Sequence, residues 1–284
     1  MLERIKVLTY RGHSPYYYLR KLLFNIINWR EHRRRQQWAR TCDRSHNGTL
    51  ETEGWCEVSV DPRWVSETVA YCQGLDRKMD PENLSPQAGG GKDFWRLLID
   101  NASVKNFPEV IRFSAQSRLK EIASAYLGEE AVLANVSLMK SYPTGRKVKH
   151  SQLWHLDAAD SRMLLFYLYC SDVDDQAGPF TVVEKSRMKP DWRPRFLRKY
   201  GYSDSEIVDL AEPGCIRSIT GPAGTMFACD SAQTYHQGSR CETKTRLALA
   251  IRYTTFSGLH PVEEIAVPQT DGDGRVPLRP LVNA

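Results

Sequence analysis

A chain of 284 residues with 41% hydrophobic and 26% charged residues has the material for a sizeable core and lacks the polar bias of a disordered chain. Seven scattered cysteines without a CxxC pair argue against a disulfide framework or a zinc knuckle, and the first ten residues lack the apolar stretch of a secretory signal, so a cytoplasmic protein is expected. The net charge of +5 is local: residues 1–40 carry ten Lys/Arg against two Glu, a balance of +8, which leaves −3 for the rest.

Ser14-Pro15 predicts a helix start, a capping hydroxyl followed by proline in the first turn. Behind it Leu19, Leu22, Leu23, Ile26 and Ile27 recur at helical spacing, with Arg20, Lys21, Asn25 and Asn28 on the other side, and a basic run from Arg30 to Arg35 follows. The ordinary expectation is that this apolar stripe packs on the main domain. The alternative is peripheral contact of residues 14–40 with an anionic membrane, or with nucleic acid, although no specific nucleic-acid motif is present. Residues 41–54 are polar and turn-rich and predict a linker, so 1–54 reads as a basic amphipathic extension ahead of a domain over 55–284.

Trp55 to Val60 predicts a short strand, and Asp61-Pro62 opens a helix through about Leu75. Asp80 to Lys92, with Pro81, Pro86 and Gly89-Gly90-Gly91, predicts a loop. The spacing of Val110, Ile111, Leu119, Ile122 and Tyr126 predicts one or two helices over Phe107–Leu127, closed by Gly128. Short apolar runs then succeed one another: Val132–Met139, Gln152–Asp157, Met163–Cys170, Phe180–Val183, Ile216–Ile219, Thr225–Cys229, Thr234–His236 and Leu247–Thr254. Turn residues punctuate them, and a helical insertion is expected over about 188–212, as Asp191–Tyr200 and Ser203–Leu210. The fold class is therefore mainly β with flanking α, an α+β chain with a double-sheet or barrel core.

In an extended segment His155 and Asp157 project from one face, and His236 can deliver a third ligand from a distant strand. Two histidines and a carboxylate with open positions is the pattern of non-haem Fe(II) oxygenases. Each residue alone is as readily a satisfied core or surface group, and Asp160 replaces Asp157 only where the strand ends early. In the strand Arg246–Tyr253, Arg246 and Arg252 share a face with Ala248 and Ala250, which leaves room for a ligand carboxylate. Asp230 reads as a structural carboxylate near the barrel end.

His155-x-Asp157, the segment Cys170–Phe180 with its Gly178-Pro179 turn, Gly224–Asp230, His236-x-Gly238 and Arg246 resemble, in order and spacing, the phytanoyl-CoA dioxygenase family of Fe(II)- and 2-oxoglutarate-dependent oxygenases. The resemblance covers roughly residues 130–256. It implies a double-stranded β-helix, a jelly-roll, cupin-like barrel, with His155, Asp157 and His236 as metal ligands. It also implies that Arg246 binds the distal carboxylate of 2-oxoglutarate, with Arg252 as second choice and Ser239 supplying a nearby hydroxyl. The implied reaction consumes O2 and releases succinate and CO2 while hydroxylating an unactivated C–H of a small molecule, and the basic clusters favour an anionic one. Two other readings remain open on the sequence: a catalytically silent barrel that binds membranes or nucleic acid through its basic helix, and the same barrel holding another divalent metal for non-oxidative chemistry.

Overall fold

The computed structural model describes residues 14–82, 93–191, 193 and 197–258. Its N-terminal part is helical: α1 (Pro15–Ile27), α2 (Trp29–Arg40) and the short α3 (Asn47–Thr52) lead into strand β1 (Trp55–Glu57) and helix α4 (Pro62–Met79). After β2 (Trp95–Ile99) come α5 (Pro108–Ser114) and α6 (Ser117–Leu127), and Gly128 closes α6 in the left-handed conformation that glycine adopts at low cost. The remaining strands are β3 (Val132–Ser141), β4 (Met163–Tyr169), β5 (Phe180–Val183), β6 (Ile216–Ile219), β7 (Met226–Cys229), β8 (His236–Gln237) and β9 (Arg246–Thr254). Helix α7 (Asp204–Asp209) lies between β5 and β6.

The strands form a six-stranded sheet in the order β1-β7-β4-β9-β3-β2 and a three-stranded sheet in the order β6-β5-β8, with every pairing antiparallel. Period-two alternation divides the large sheet's side chains between two cores. Leu164, Phe166 and Leu168 of β4, with Leu247, Leu249 and Ile251 of β9, join Val110, Phe113, Leu119 and Ile122 of the helices. On the opposite face Leu165, Tyr167 and Tyr169 join Phe180 and Val182 of the small sheet. Register sets large against small there, Tyr167 opposite Ala250 and Tyr169 opposite Ala248, so the aromatic rings fill the inter-sheet space without a clash. The architecture is the expected jelly-roll class.

Several expectations need correction. Residues 41–54 are not merely a linker: they contain α3, whose Leu50 is fully buried in the main core. Gln152–Asp157 is not a continuous strand. A short 3-10 turn at His150–Gln152 precedes two isolated bridges, at Trp154 and His155. Strand β2 was not expected, because its exposures run without clean alternation and its register with β3 shifts between Leu97 and Ile99. Of the helical insertion, α7 is present with a capping box between Ser203 and Glu206, whereas the stretch 191–200 falls partly outside the described residues, as does most of the loop expected over 80–92.

Helix α1 is turned opposite to expectation. Tyr17, Arg20, Lys21 and Phe24 face the protein, and Leu19, Leu22, Leu23, Ile26 and Ile27 face outward. The cause is Asp160, a fully buried carboxylate at the barrel rim. It accepts from the Tyr17 hydroxyl, from Lys21 Nζ at 2.9 Å and from the backbone and side chain of Thr255 at 2.9 and 2.6 Å. A buried carboxylate without such partners costs several kcal/mol, the same order as leaving five half-exposed leucine and isoleucine side chains in water at roughly 1 kcal/mol each. Arg20 adds bonds to the Ser257 and Gly258 carbonyls at 3.0 and 2.6 Å, and the Phe24 ring meets Phe256 edge-on at 5.0 Å.

Candidate metal centre

Backbone pairing brings the two histidines together. His155 N–H donates to the His236 carbonyl at 3.0 Å and His236 N–H donates to the His155 carbonyl at 3.1 Å, which holds the ring centroids 4.3 Å apart. Each ring is then oriented by the carbonyl two residues back, His155 Nδ1 by Leu153 at 2.8 Å and His236 Nδ1 by Thr234 at 3.0 Å. With Nδ1 protonated to make those bonds, both Nε2 lone pairs are free and directed into the barrel. Asp157 follows two residues later, fixed by its own N–H donating to the Ser231 carbonyl at 2.8 Å. Its carboxylate oxygens lie 3.8 Å from His155 Nε2 and 4.0 Å from His236 Nε2. Ligand atoms of all three lie within 4.8 Å of one another.

The electrostatics leave these groups in ligand-competent states. Burial, then the neighbouring His155, push His236 down to about 4 against the upward pull of Asp157, so its imidazole is neutral at neutral pH. Burial alone would raise Asp157, but Arg252, His236 and His155 outweigh it and hold the carboxyl at about 2. Arg252 Nη2 stands 3.7 Å from Asp157. The Phe180 ring stacks on His236 at 5.2 Å, and Tyr200 of the insertion approaches His155 at 5.7 Å.

Arg246, 1% exposed, opens β9 from inside the barrel. Its Nη1 donates to the Gly178 carbonyl at 2.6 Å and its Nη2 to Ser239 Oγ at 2.9 Å, while its Nε has no partner among the described residues. Ser239 Oγ also accepts from Ser141 Oγ at 2.9 Å, so its own proton remains available. Ser239 has φ of 62°, a left-handed conformation that costs a non-glycine residue free energy and is concentrated at functional sites. Gly238 keeps the guanidinium uncovered, since a Cβ there would meet Nη2 at 3.4 Å. Gly178 has φ of 66°, and a Cβ would lie 2.5 Å from the Cys241 nitrogen, which accounts for the glycine of the Gly178-Pro179 turn.

The structure therefore brings together His155, Asp157 and His236 as one cluster and Arg246 with Ser239 as another. Arg252 belongs with the first, six residues and about 20 Å along β9 from Arg246. Asp160 and Asp230 serve structure: Asp230 accepts from the Tyr126 hydroxyl at 2.7 Å and caps Ala232 N at 3.1 Å. Sequence reasoning missed Ser141, whose signal lies in register, opposite Arg246 across β3 and β9. It also missed Phe180 and Tyr200, and Asp204, which accepts from Trp154 Nε1 at 2.7 Å and from Arg240 Nη1 at 2.7 Å and so braces the segment carrying His155. A cavity of about 460 Å³ between α3, β1 and Glu184 holds none of these residues.

No protein-family model matches the chain, the phytanoyl-CoA dioxygenase family included, and no curated protein matches its sequence. Solved structures do match in shape. The epimerase SnoN, in complex with Fe3+, alpha ketoglutarate and nogalamycin RO, superposes with a TM-score of 0.52 at 17% identity, over 82% of this chain and 92% of that one. EctD from S. alaskensis, with 2-oxoglutarate and 5-hydroxyectoine, gives 0.56 at 16% identity over 80% and 82%. The non-haem alpha ketoglutarate dependent carbocyclase SnoK of nogalamycin biosynthesis gives 0.51 at 16% identity over 76% and 85%. The chain has their fold.

Proposed function

We propose that the protein is an Fe(II)- and 2-oxoglutarate-dependent oxygenase of a small-molecule substrate, with hydroxylation as its default outcome. The observation that carries the reading is the cluster of His155, Asp157 and His236, with both Nε2 atoms free and the carboxylate ionised, inside a fold shared with a SnoN structure that holds Fe3+ and alpha ketoglutarate and an EctD structure that holds 2-oxoglutarate. The donor set fits a ferrous ion, two imidazole nitrogens and one carboxylate on one face. When bound, iron and 2-oxoglutarate supply oxidative decarboxylation with O2, yielding succinate and CO2 and an oxidant for an unactivated C–H.

The chain's residues bind and orient. Arg246 offers its uncovered guanidinium to the distal carboxylate of 2-oxoglutarate, and the Ser239 hydroxyl donates its free proton to the same group. Their fit is supported by the unpartnered, buried Arg246 Nε. Arg252 balances the charge of Asp157 and keeps the carboxylate ionised. Phe180 and Tyr167 wall the interior with aromatic surface that excludes water. SnoN is an epimerase and SnoK a carbocyclase, so the shared fold does not by itself select hydroxylation over those outcomes.

Succinate formation from 2-oxoglutarate by the Fe(II)-loaded protein in air tests this directly. The native chain is expected to produce it slowly without substrate, and His155→Ala and Arg246→Ala to produce none above background. Folded, iron-loaded native protein that neither binds nor turns over 2-oxoglutarate would remove the proposal.

A further inference from the structure

Helix α1 presents an apolar face to water. Leu19, Leu22, Leu23, Ile26 and Ile27 are between 49% and 77% exposed, with Trp29 at 53% just beyond them. The inward stripe is committed: Tyr17 and Lys21 satisfy Asp160, Arg20 holds two carbonyls, and Phe24 packs on Phe256. Rolling the helix to hide its leucines would strand a buried carboxylate. A continuous apolar face of this kind, about 20 Å long, marks an interaction surface.

Charge decides what covers it. Arg30, Arg33 and Arg40 of α2 are exposed and make no ion pair among the described residues, and the Arg30 guanidinium lies 5.5 Å over the Trp29 ring. The adjacent carboxylate, Glu31, is held by Arg34 and Arg35 at 2.7 and 2.8 Å. Among the described residues, a second copy of this face would bring the same unpaired arginines and no free carboxylate to meet them. An anionic headgroup layer supplies the missing charge, and the acyl boundary beneath it takes the leucines and isoleucines. Among the described residues no helix is long and apolar enough to cross a membrane, so the contact lies in the interface plane.

We propose that α1 and the exposed arginines of α2 form a docking surface for an anionic lipid bilayer, with the leucine and isoleucine face at the acyl boundary and Trp29 at headgroup level. Apolar burial and a basic patch together are the two signals that reversible anchoring needs. The proposal stands apart from the barrel's chemistry.

Co-sedimentation of the full chain with phosphatidylcholine vesicles, with and without phosphatidylserine, tests it. Binding is expected to the mixed vesicles, to fall with added salt, and to weaken about fivefold for each of Arg30→Gln and Arg33→Gln. Leu22→Glu with Ile26→Glu is expected to lower partitioning at least about tenfold with thermal unfolding unchanged, because both side chains are already in water. Three results overturn the proposal: equal binding to both vesicles, no binding to either, or a concentration-dependent dimer in sedimentation that the same double variant abolishes. The last would assign the face to a second copy.

Discussion

The barrel interior and helix α1 respond to apolar periodicity in opposite ways. In β9 the alternation of Leu247, Leu249 and Ile251 with Arg246, Ala248 and Ala250 reports the environment faithfully, because each strand position has fixed neighbours on both sides. In α1 the equally regular stripe of leucines and isoleucines points away from the protein. One buried carboxylate reverses it. Periodicity tells which residues share a face, and the polar groups waiting on the neighbouring element decide which face turns inward.

Asp160→Ala tests that explanation with the largest effect. It strands Lys21, the Tyr17 hydroxyl and Thr255, and is expected to cost about 3–5 kcal/mol in chemical denaturation. Unchanged stability would mean that α1 is held by something else. In the barrel, His236→Ala is expected to lower Fe(II) affinity more than about 100-fold, beyond what loss of an outer-shell partner causes, while the midpoint of unfolding stays close to native. Metal retained at native affinity would detach the cluster from its assigned role.

Tyr17→Phe removes one donor to Asp160 and is expected to cost about 1–3 kcal/mol, because a charged acceptor loses a buried bond. The smallest effect is in acid. Burial raises Asp160, but Lys21, Thr255 and Tyr17 lower it further, so its folded pKa lies below its unfolded one. Its ionic contribution is present above the unfolded carboxyl value, near 4, and is lost as pH falls through the folded one. Asp160→Asn is therefore expected to flatten the acid limb of the stability curve below about pH 4 and to leave a constant deficit above it. An acid limb unchanged from native would place the pH dependence elsewhere.

Much of the barrel was legible because its strands are short apolar runs between turn residues, and β5 and β6 match those runs end to end. The clustering of His155, Asp157 and His236 was legible through two spacings, although the extended segment around His155 is held by isolated bridges and not by a strand. Residues joined only by register or by an insertion were not legible. Ser141 lies more than a hundred residues from Arg246 in sequence and directly opposite it in the sheet, and Tyr200 reaches His155 from the excursion between β5 and β6. The role of Leu50 was hidden because one leucine in a polar stretch gives no periodicity, yet it fills the core beneath α6. Asp160 reads in the sequence as a rival ligand, but its partner Tyr17 is 143 residues away, and no local pattern connects the two.

The most direct test of the central claim is anaerobic titration of the metal-free protein with Fe(II) and 2-oxoglutarate, following the weak visible charge-transfer band of the chelate. The band is expected in the native chain, absent in His155→Ala, and shifted to much higher 2-oxoglutarate concentration in Arg246→Ala. A folded, iron-loaded native protein that gives no band at saturating 2-oxoglutarate would contradict the assignment of His155, Asp157, His236 and Arg246 to one oxygenase centre.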